Sequence, residues 1–316
     1  MPATASTAAT PLDVCITVDM EPDCPPFLWT WRGMGEGAPK LLDLFARHGV
    51  STTCFTTGDS AAKFPDVAAR IVADGHELAS HGQTHTPFPK LDRDKARWEI
   101  ETSANILRQF GDVTSFRAPN LLFPHEYLGL LEDNGFTLDS SDGKHKPNWW
   151  FGPPSPQTTL TRIPASCTSS ALRIPRVVRD RFLNSLVSPV VLFVHPWEFV
   201  DLTREKLRYD CRFRTGDFAL SALESVIELF KARGARFLTV ASAPLHSSGD
   251  CPDARKHACP DRLPTLRRRA NLLFFKRAVG ALRRRQGALQ HHQRMRGPPR
   301  GRGPRSDHRR ARRRYG

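Results

Sequence analysis

Apolar and polar positions follow two different periods between residues 13 and 241. Strand-length runs rich in apolar and β-branched residues occur at VCITVD (14–19), STTCFTTG (51–58), HELASH (76–81), TSFRAP (114–119), GFTLDSS (135–141), PVVLFVHP (189–196) and ARFLTVA (235–241). Between most of them the apolar positions recur every three to four residues, in PKLLDLFARHG, FPDVAARIVADG, DRDKARWEIETSANILRQFG, HEYLGLLEDNG and DFALSALESVIELFKARG. That spacing predicts amphipathic helices. Several of these segments end in Gly, the usual left-handed stop, and Asp92 and Asp217 are placed to start two of them. Near-continuous apolar strands alternating with helices predict an α/β fold, with a parallel sheet covered on both faces. About seven such strands over this length match a (β/α) barrel. An open doubly wound sheet is the alternative, and no GxGxxG follows the first strand to favour its nucleotide-binding version.

Charge changes the picture of the C-terminal part only. The chain of 316 residues carries a formal +15, but residues 251–316 hold 21 Lys and Arg against 3 Asp, so the rest is near neutral at −3. The whole-chain basicity therefore says nothing about the partner of the body, and no specific nucleic acid is expected there. We expect an N-terminal arm over 1–12, a catalytic domain over 13–248 and an Arg/Pro-rich, disordered tail over 249–316. LLFFKRAVGALRRR in that tail could form one short basic amphipathic helix that meets a membrane surface or RNA. The plainer reading is a solvated extension, or an out-of-register reading of G/C-rich DNA.

The seven cysteines are odd in number, irregular in spacing and free of CxxC, which argues against a disulfide framework and a structural zinc module. Cys15 and Cys54 lie in apolar runs and read as small buried hydrophobes. The N-terminus lacks the basic and apolar regions of a signal peptide, and no apolar run reaches the ~18–20 residues of a membrane span. The expectation is a cytoplasmic protein, with a homo-oligomer left open.

In a parallel barrel, chemistry gathers where the strands end. Five of the seven predicted strand ends carry titratable residues: Asp19, Glu21 and Asp23; His81 and His85; Arg117; Asp139 and Asp142; His195 and Glu198. The spacing of His81 and His85 sets both imidazoles on one side of a helical turn, within reach of one ion. A carboxylate from another strand end would complete a two-His, one-carboxylate site with positions open for water and substrate.

The order ITVDMEPD, SHGQTH, FRAPN, LDSS, LFVHPWEF resembles the polysaccharide deacetylases with the NodB homology domain, carbohydrate esterase family 4, over roughly residues 13–245. The resemblance implies a distorted (β/α)7 barrel holding a divalent metal, usually zinc, that hydrolyses N-acetyl groups on amino sugars. By the same resemblance, His81 and His85 are the metal pair, Asp19 the general base, Arg117 the residue that keeps the base ionised, and His195 the general acid. The family's second aspartate is missing, since Met20 follows Asp19. Glu21 is the expected replacement because strand alternation returns residue 21 to the side of residue 19. Asp23 is the fallback. Asn120 stands where an aromatic residue is usual, and its backbone N–H is expected to help bind the oxyanion. Asp139 is expected to orient or charge His195, with Asp142 second. Trp197, Trp149 and Trp150 are candidates to stack on sugar faces, at least one of them serving as rim or core packing instead.

These residue types suit amide hydrolysis. A metal lowers the pKa of water and polarises a carbonyl, a carboxylate takes the water's proton, and a histidine charged by a nearby carboxylate protonates the departing amine. The reading is a metal-dependent deacetylase acting on a glycan or glycan precursor. The alternatives are a cyclic amide or ureide hydrolase of the allantoinase kind on the same site, and a non-catalytic carbohydrate-binding remnant.

Overall fold

The computed structural model describes residues 11–244, except Trp29, Pro147, Asn148 and residues 150–155. The expectations for the tail, for Trp150 and for most of the N-terminal arm lie outside the described residues. Eight strands form one parallel sheet: β1 Asp13–Met20, β2 Thr53–Thr56, β3 Glu77–Ser80, β4 Ser115–Phe116, β5 Leu138–Asp139, β6 Thr161–Arg162, β7 Val190–Val194 and β8 Arg236–Phe237. Their order is β6-β5-β4-β3-β2-β1-β7, with β8 paired to the start of β1. Beyond β6, Ser166 joins that end of the sheet to β7, its N–H donating to the Val191 carbonyl at 2.8 Å and its hydroxyl accepting from the Val191 N–H at 2.9 Å. The result is the curled parallel sheet of a distorted (β/α)7 barrel, as expected, and not an open doubly wound one.

Seven of the strands coincide with predicted runs, β1 reaching one residue beyond its run at each end. β6 was not predicted, because two residues inside TTLTRIPAS carry no readable period. Its presence makes the strand before His195 the seventh instead of the sixth.

The described helices are α1 Ala38–His48, α2 Gly58–Lys63, α3 Pro65–Ala73, α4 Arg93–Leu107, α5 Leu128–Asp133, α6 Arg176–Leu183, α7 Tyr209–Arg212 and α8 Asp217–Ala232. Of these, α1, α3, α4, α5 and α8 follow the apolar spacing, and α2, α6 and α7 were not predicted. In α8 the buried set Ala219, Ala222, Leu223, Val226, Ile227 and Phe230 is one stripe at helical spacing. Gly49 ends α1 at φ 57°, as the sequence predicts. Asp92 caps α4 by accepting from the Lys95 N–H at 2.9 Å. Asp217 does not cap α8: Gly216 holds the cap position and Asp217 is the first helical residue. No described helix is long and apolar enough to cross a membrane.

All of β1 is buried, which explains why its run is apolar on both faces. Alternation gives the two faces different jobs. Cys15 packs inside the barrel with Phe55, Ala79, Ile163 and Val191. Thr17 and Asp19 continue that inner face upward, and both meet the buried guanidinium of Arg117.

A π-helical turn over Gly33–Gly37 was not predicted. It packs against the turn Pro196–Phe199 that follows β7. The approach is closer than any side chain permits, since a Cβ on Gly37 would collide with the Pro196 carbonyl and one on Gly33 would stand 2.5 Å from the Trp197 nitrogen.

Candidate active site

Glu21, His81 and His85 come together just past the ends of β1 and β3, with their ligand atoms all within 4.8 Å of one another. Glu21 Oε2 lies 2.6 Å from His85 Nε2 and 3.4 Å from His81 Nε2. Burial opposes the charge on Glu21, but the neighbouring His85, His195 and His81 hold its carboxyl well below the usual range.

The pair is not arranged on a helical turn as expected. Residues 81–85 are an irregular loop in which Gly82 (φ 76°) and His85 (φ 63°) are both left-handed. Glu99 of α4 holds this loop from behind, its buried carboxylate accepting from Gln83 N–H at 2.6 Å, from Thr84 N–H at 2.9 Å and from the Thr84 hydroxyl.

The donor set fits a divalent ion. His81 Nδ1 donates to the Arg117 carbonyl at 2.7 Å, which leaves Nε2 as the lone-pair nitrogen. That Nε2 is buried and has no hydrogen-bond partner. Two imidazole nitrogens and one carboxylate, with His81 and Glu21 each steadied by an outer partner, are what zinc accepts when it keeps an open position.

Trp197 supplies the outer partner of Glu21, donating from Nε1 to Oε1 at 3.1 Å. Its buried ring stacks on His195 with centroids 4.7 Å apart. The expectation of Trp197 as a sugar platform is therefore corrected: the ring is buried against both the ligand carboxylate and His195 and offers no open face. Asp23, the fallback ligand, accepts instead from Thr30 Oγ1 at 2.6 Å and from the Arg32 and Gly33 N–H groups at 2.8 Å. That fixes the loop leading into the π-helical turn.

Asp19 Oδ1 pairs with Arg117 Nη1 at 2.7 Å, while Arg117 also donates to Thr17 Oγ1 at 2.7 Å and to Ser140 Oγ at 2.9 Å. The guanidinium lies over the Phe55 ring, 4.1 Å from its centroid. Every side of this buried cation is occupied, so one Asp19 oxygen is fixed while Oδ2 faces His195. His195 Nε2 lies 4.0 Å from Asp19 Oδ2 and 3.9 Å from Glu21 Oε1.

The carboxylate on His195 is Glu198, at 2.8 Å from Nδ1, and neither Asp139 nor Asp142. Asp139 faces Arg162 Nε at 3.0 Å and accepts from Ser141, and Asp142 pairs with Arg162 Nη2 at 2.7 Å. Burial raises the Asp139 carboxyl above its usual range, with Arg162 opposing. Burial also disfavours charge on Glu198, but Arg173, 2.9 Å from Oε2, and His195 hold its carboxyl low. A sequence signal existed. Glu198 stands three residues after His195 at the start of a helical turn, and it reaches back to the His195 N–H at 3.1 Å as a capping-box glutamate does. Glu99 and Arg173 gave no such signal.

Asn120 follows Arg117 at the same strand end, exposed and at φ 60°, with its carbonyl held by Lys146. Trp149 is half-buried beyond β5.

Residues 10–138 match the family model for polysaccharide deacetylases. Among characterised sequences, the chain is 32% identical over 121 residues to a peptidoglycan-N-acetylglucosamine deacetylase of Bacillus cereus, a stretch covering 38% of each protein. It is 28% identical over 118 residues to a chitooligosaccharide deacetylase of Sinorhizobium fredii, covering 36% of this chain and 51% of that protein. The chain thus matches about two fifths to one half of these relatives' length. Among solved structures, the Bc1960 peptidoglycan N-acetylglucosamine deacetylase superposes with a TM-score of 0.50 at 21% identity, over 73% of this chain and 87% of that one. BA3943, a CE4 family pseudoenzyme from Bacillus anthracis, superposes with a TM-score of 0.51 at 16% identity, over 74% and 66% of the two chains. At these identities the structures speak for the fold, and the sequence matches speak for the family. Over residues 10–138 the chain matches the polysaccharide deacetylase family, and the described residues share the fold of the solved deacetylase structure.

Proposed function

We propose that this protein is a metal-dependent hydrolase that removes N-acetyl groups from amino sugars of a glycan or glycan precursor. The observation that carries the reading is the convergence on one spot of the Glu21–His81–His85 cluster, the Arg117-held Asp19 and the Glu198-held His195. The names of the Bacillus cereus and Sinorhizobium fredii relatives point the same way, toward N-acetylglucosamine units.

Glu21, His81 and His85 hold the ion, and zinc suits their donor set. A divalent ion bound there supplies Lewis acidity toward the amide carbonyl and makes water a nucleophile at neutral pH. Asp19 takes the proton of the attacking water through Oδ2, while Arg117 keeps the carboxylate in place. A backbone N–H at Asn120 donates to the oxygen that gains charge. His195 carries a proton on Nε2 toward the leaving nitrogen, and its Nδ1–H stays on Glu198. A carbon–nitrogen bond breaks, and acetate and a free amine are the products.

The test is metal analysis of the purified chain with an acetate-release assay on N-acetylglucosamine oligomers, peptidoglycan fragments and small cyclic amides. Acetate from the amino sugars supports the reading. Ring opening of a cyclic amide with no acetate would move the protein to ureide-type hydrolysis, and inert metal-loaded protein would make it a remnant.

A further inference from the structure

Behind Trp197, two cysteines from distant parts of the chain meet. Cys24, on the loop after β1, is buried with Trp197, Val200 and Leu202, and Cys211 of α7 packs against that cluster from the half-exposed side. The two side chains share this one packed cluster, and each thiol shifts the titration of the other. Both are free. The other described cysteines, Cys15, Cys54 and Cys167, are fully buried, and burial pushes their thiols up to about 12, which leaves them inert.

We propose that Cys24 and Cys211 are a redox-modification site, converted to an intramolecular disulfide by a low-molecular-weight disulfide such as glutathione disulfide. The two thiols divide the roles. The neighbouring Cys24 lowers the Cys211 thiol below its ordinary value, burial opposes this and Arg208 reinforces it. Cys211 and burial push Cys24 up. Cys211, half-exposed and the better thiolate, attacks one sulfur of the glutathione disulfide and expels one glutathione thiolate. Cys24 then gives its proton to that thiolate and attacks the Cys211 sulfur, so that the second glutathione leaves and is protonated in turn. The two protein thiols lose two electrons and two protons, and the glutathione disulfide gains both to become two glutathione molecules.

The pair touches the structure around His195 from two sides. Trp197, against Cys24, donates to Glu21. The Cys211 carbonyl accepts from Arg173 at 3.4 Å, and Arg173 holds Glu198. A bond between the sulfurs ties the loop after β1 to α7 across this wall. The inference needs no assumption about the substrate.

The experiment treats the full chain, with Cys251→Ser and Cys259→Ser removing the tail thiols from competition, with glutathione disulfide in native buffer and in denaturant. Peptide mapping by mass spectrometry follows. A Cys24–Cys211 link formed in native buffer and reversed by dithiothreitol is the expected result. Cys24→Ser should trap glutathione on Cys211, and Cys211→Ser should leave Cys24 reduced. A stable mixed disulfide on wild-type Cys211, a link to any other cysteine, or a Cys24–Cys211 link that forms only in denaturant overturns the proposal.

Discussion

Glu198 Oε1 lies 2.8 Å from His195 Nδ1, and it is the carboxylate hydrogen-bonded to this histidine. Burial opposes protonation of His195, but Glu21, the Glu198 hydrogen bond and Asp19 outweigh it and raise its pKa to about 9 in the metal-free protein. The unfolded value is ~6.5. The stabilisation that follows is therefore complete below pH 6.5 and is lost as pH rises through about 9. Glu198→Gln should lower the His195 titration, read from ring-proton NMR of metal-free protein, and should reduce turnover by about 10²-fold or more. An unchanged titration would mean that Glu198 does not govern His195.

Metal binding should depend on all three clustered ligands. Wild-type protein should hold one zinc per chain and His81→Ala none. Added zinc should raise the wild-type melting temperature, by the equivalent of about 2.7 kcal/mol at a hundredfold excess over Kd. Full occupancy retained in both His81→Ala and His85→Ala would remove the site.

Base and ligand should separate. Asp19→Asn keeps the size of the side chain and its hydrogen bond from Arg117 but cannot take a proton. It should retain zinc and lose about 10²–10⁴-fold in turnover. Glu21→Gln should lose zinc. The opposite pattern, with zinc lost in Asp19→Asn and kept in Glu21→Gln, exchanges the two roles.

Glu99 touches no proposed reactant, yet it accepts from the residues between the two histidines. Glu99→Gln replaces one acceptor oxygen with an NH2 facing those donors. Zinc affinity, measured by chelator competition, should fall about 10–100-fold, the range for outer partners of metal ligands. Unchanged affinity would show that the loop holds its left-handed His85 without this support.

Gly37→Ala tests the seam between the π-helical turn and the turn carrying His195. Its Cβ would meet the Pro196 carbonyl, and overpacking of this kind costs about 1–3 kcal/mol. Calorimetry should show a lower melting temperature by roughly 2–4 °C per kcal/mol. A wild-type melting temperature would mean that the seam opens without cost.

Local pattern determined most of the architecture. Seven strands and five helical segments follow from apolar spacing, because burial on one or two faces constrains every second or every third and fourth residue. The strand-end rule then assembled Asp19, Glu21, His81, His85, Arg117 and His195 before any contact was known. Alternation alone returned Glu21 to the side of Asp19. The tertiary structure decided what spacing does not encode: which of several nearby carboxylates faces which cation. Asp139 and Glu198 both lie near strand ends, but Arg162 stands beside one and His195 beside the other. Partner choice between charges depends on positions in space that the sheet order brings together across the chain, as with Arg173 and Glu198 or Cys24 and Cys211. Neither pair has a period, so neither is readable until the chain has folded.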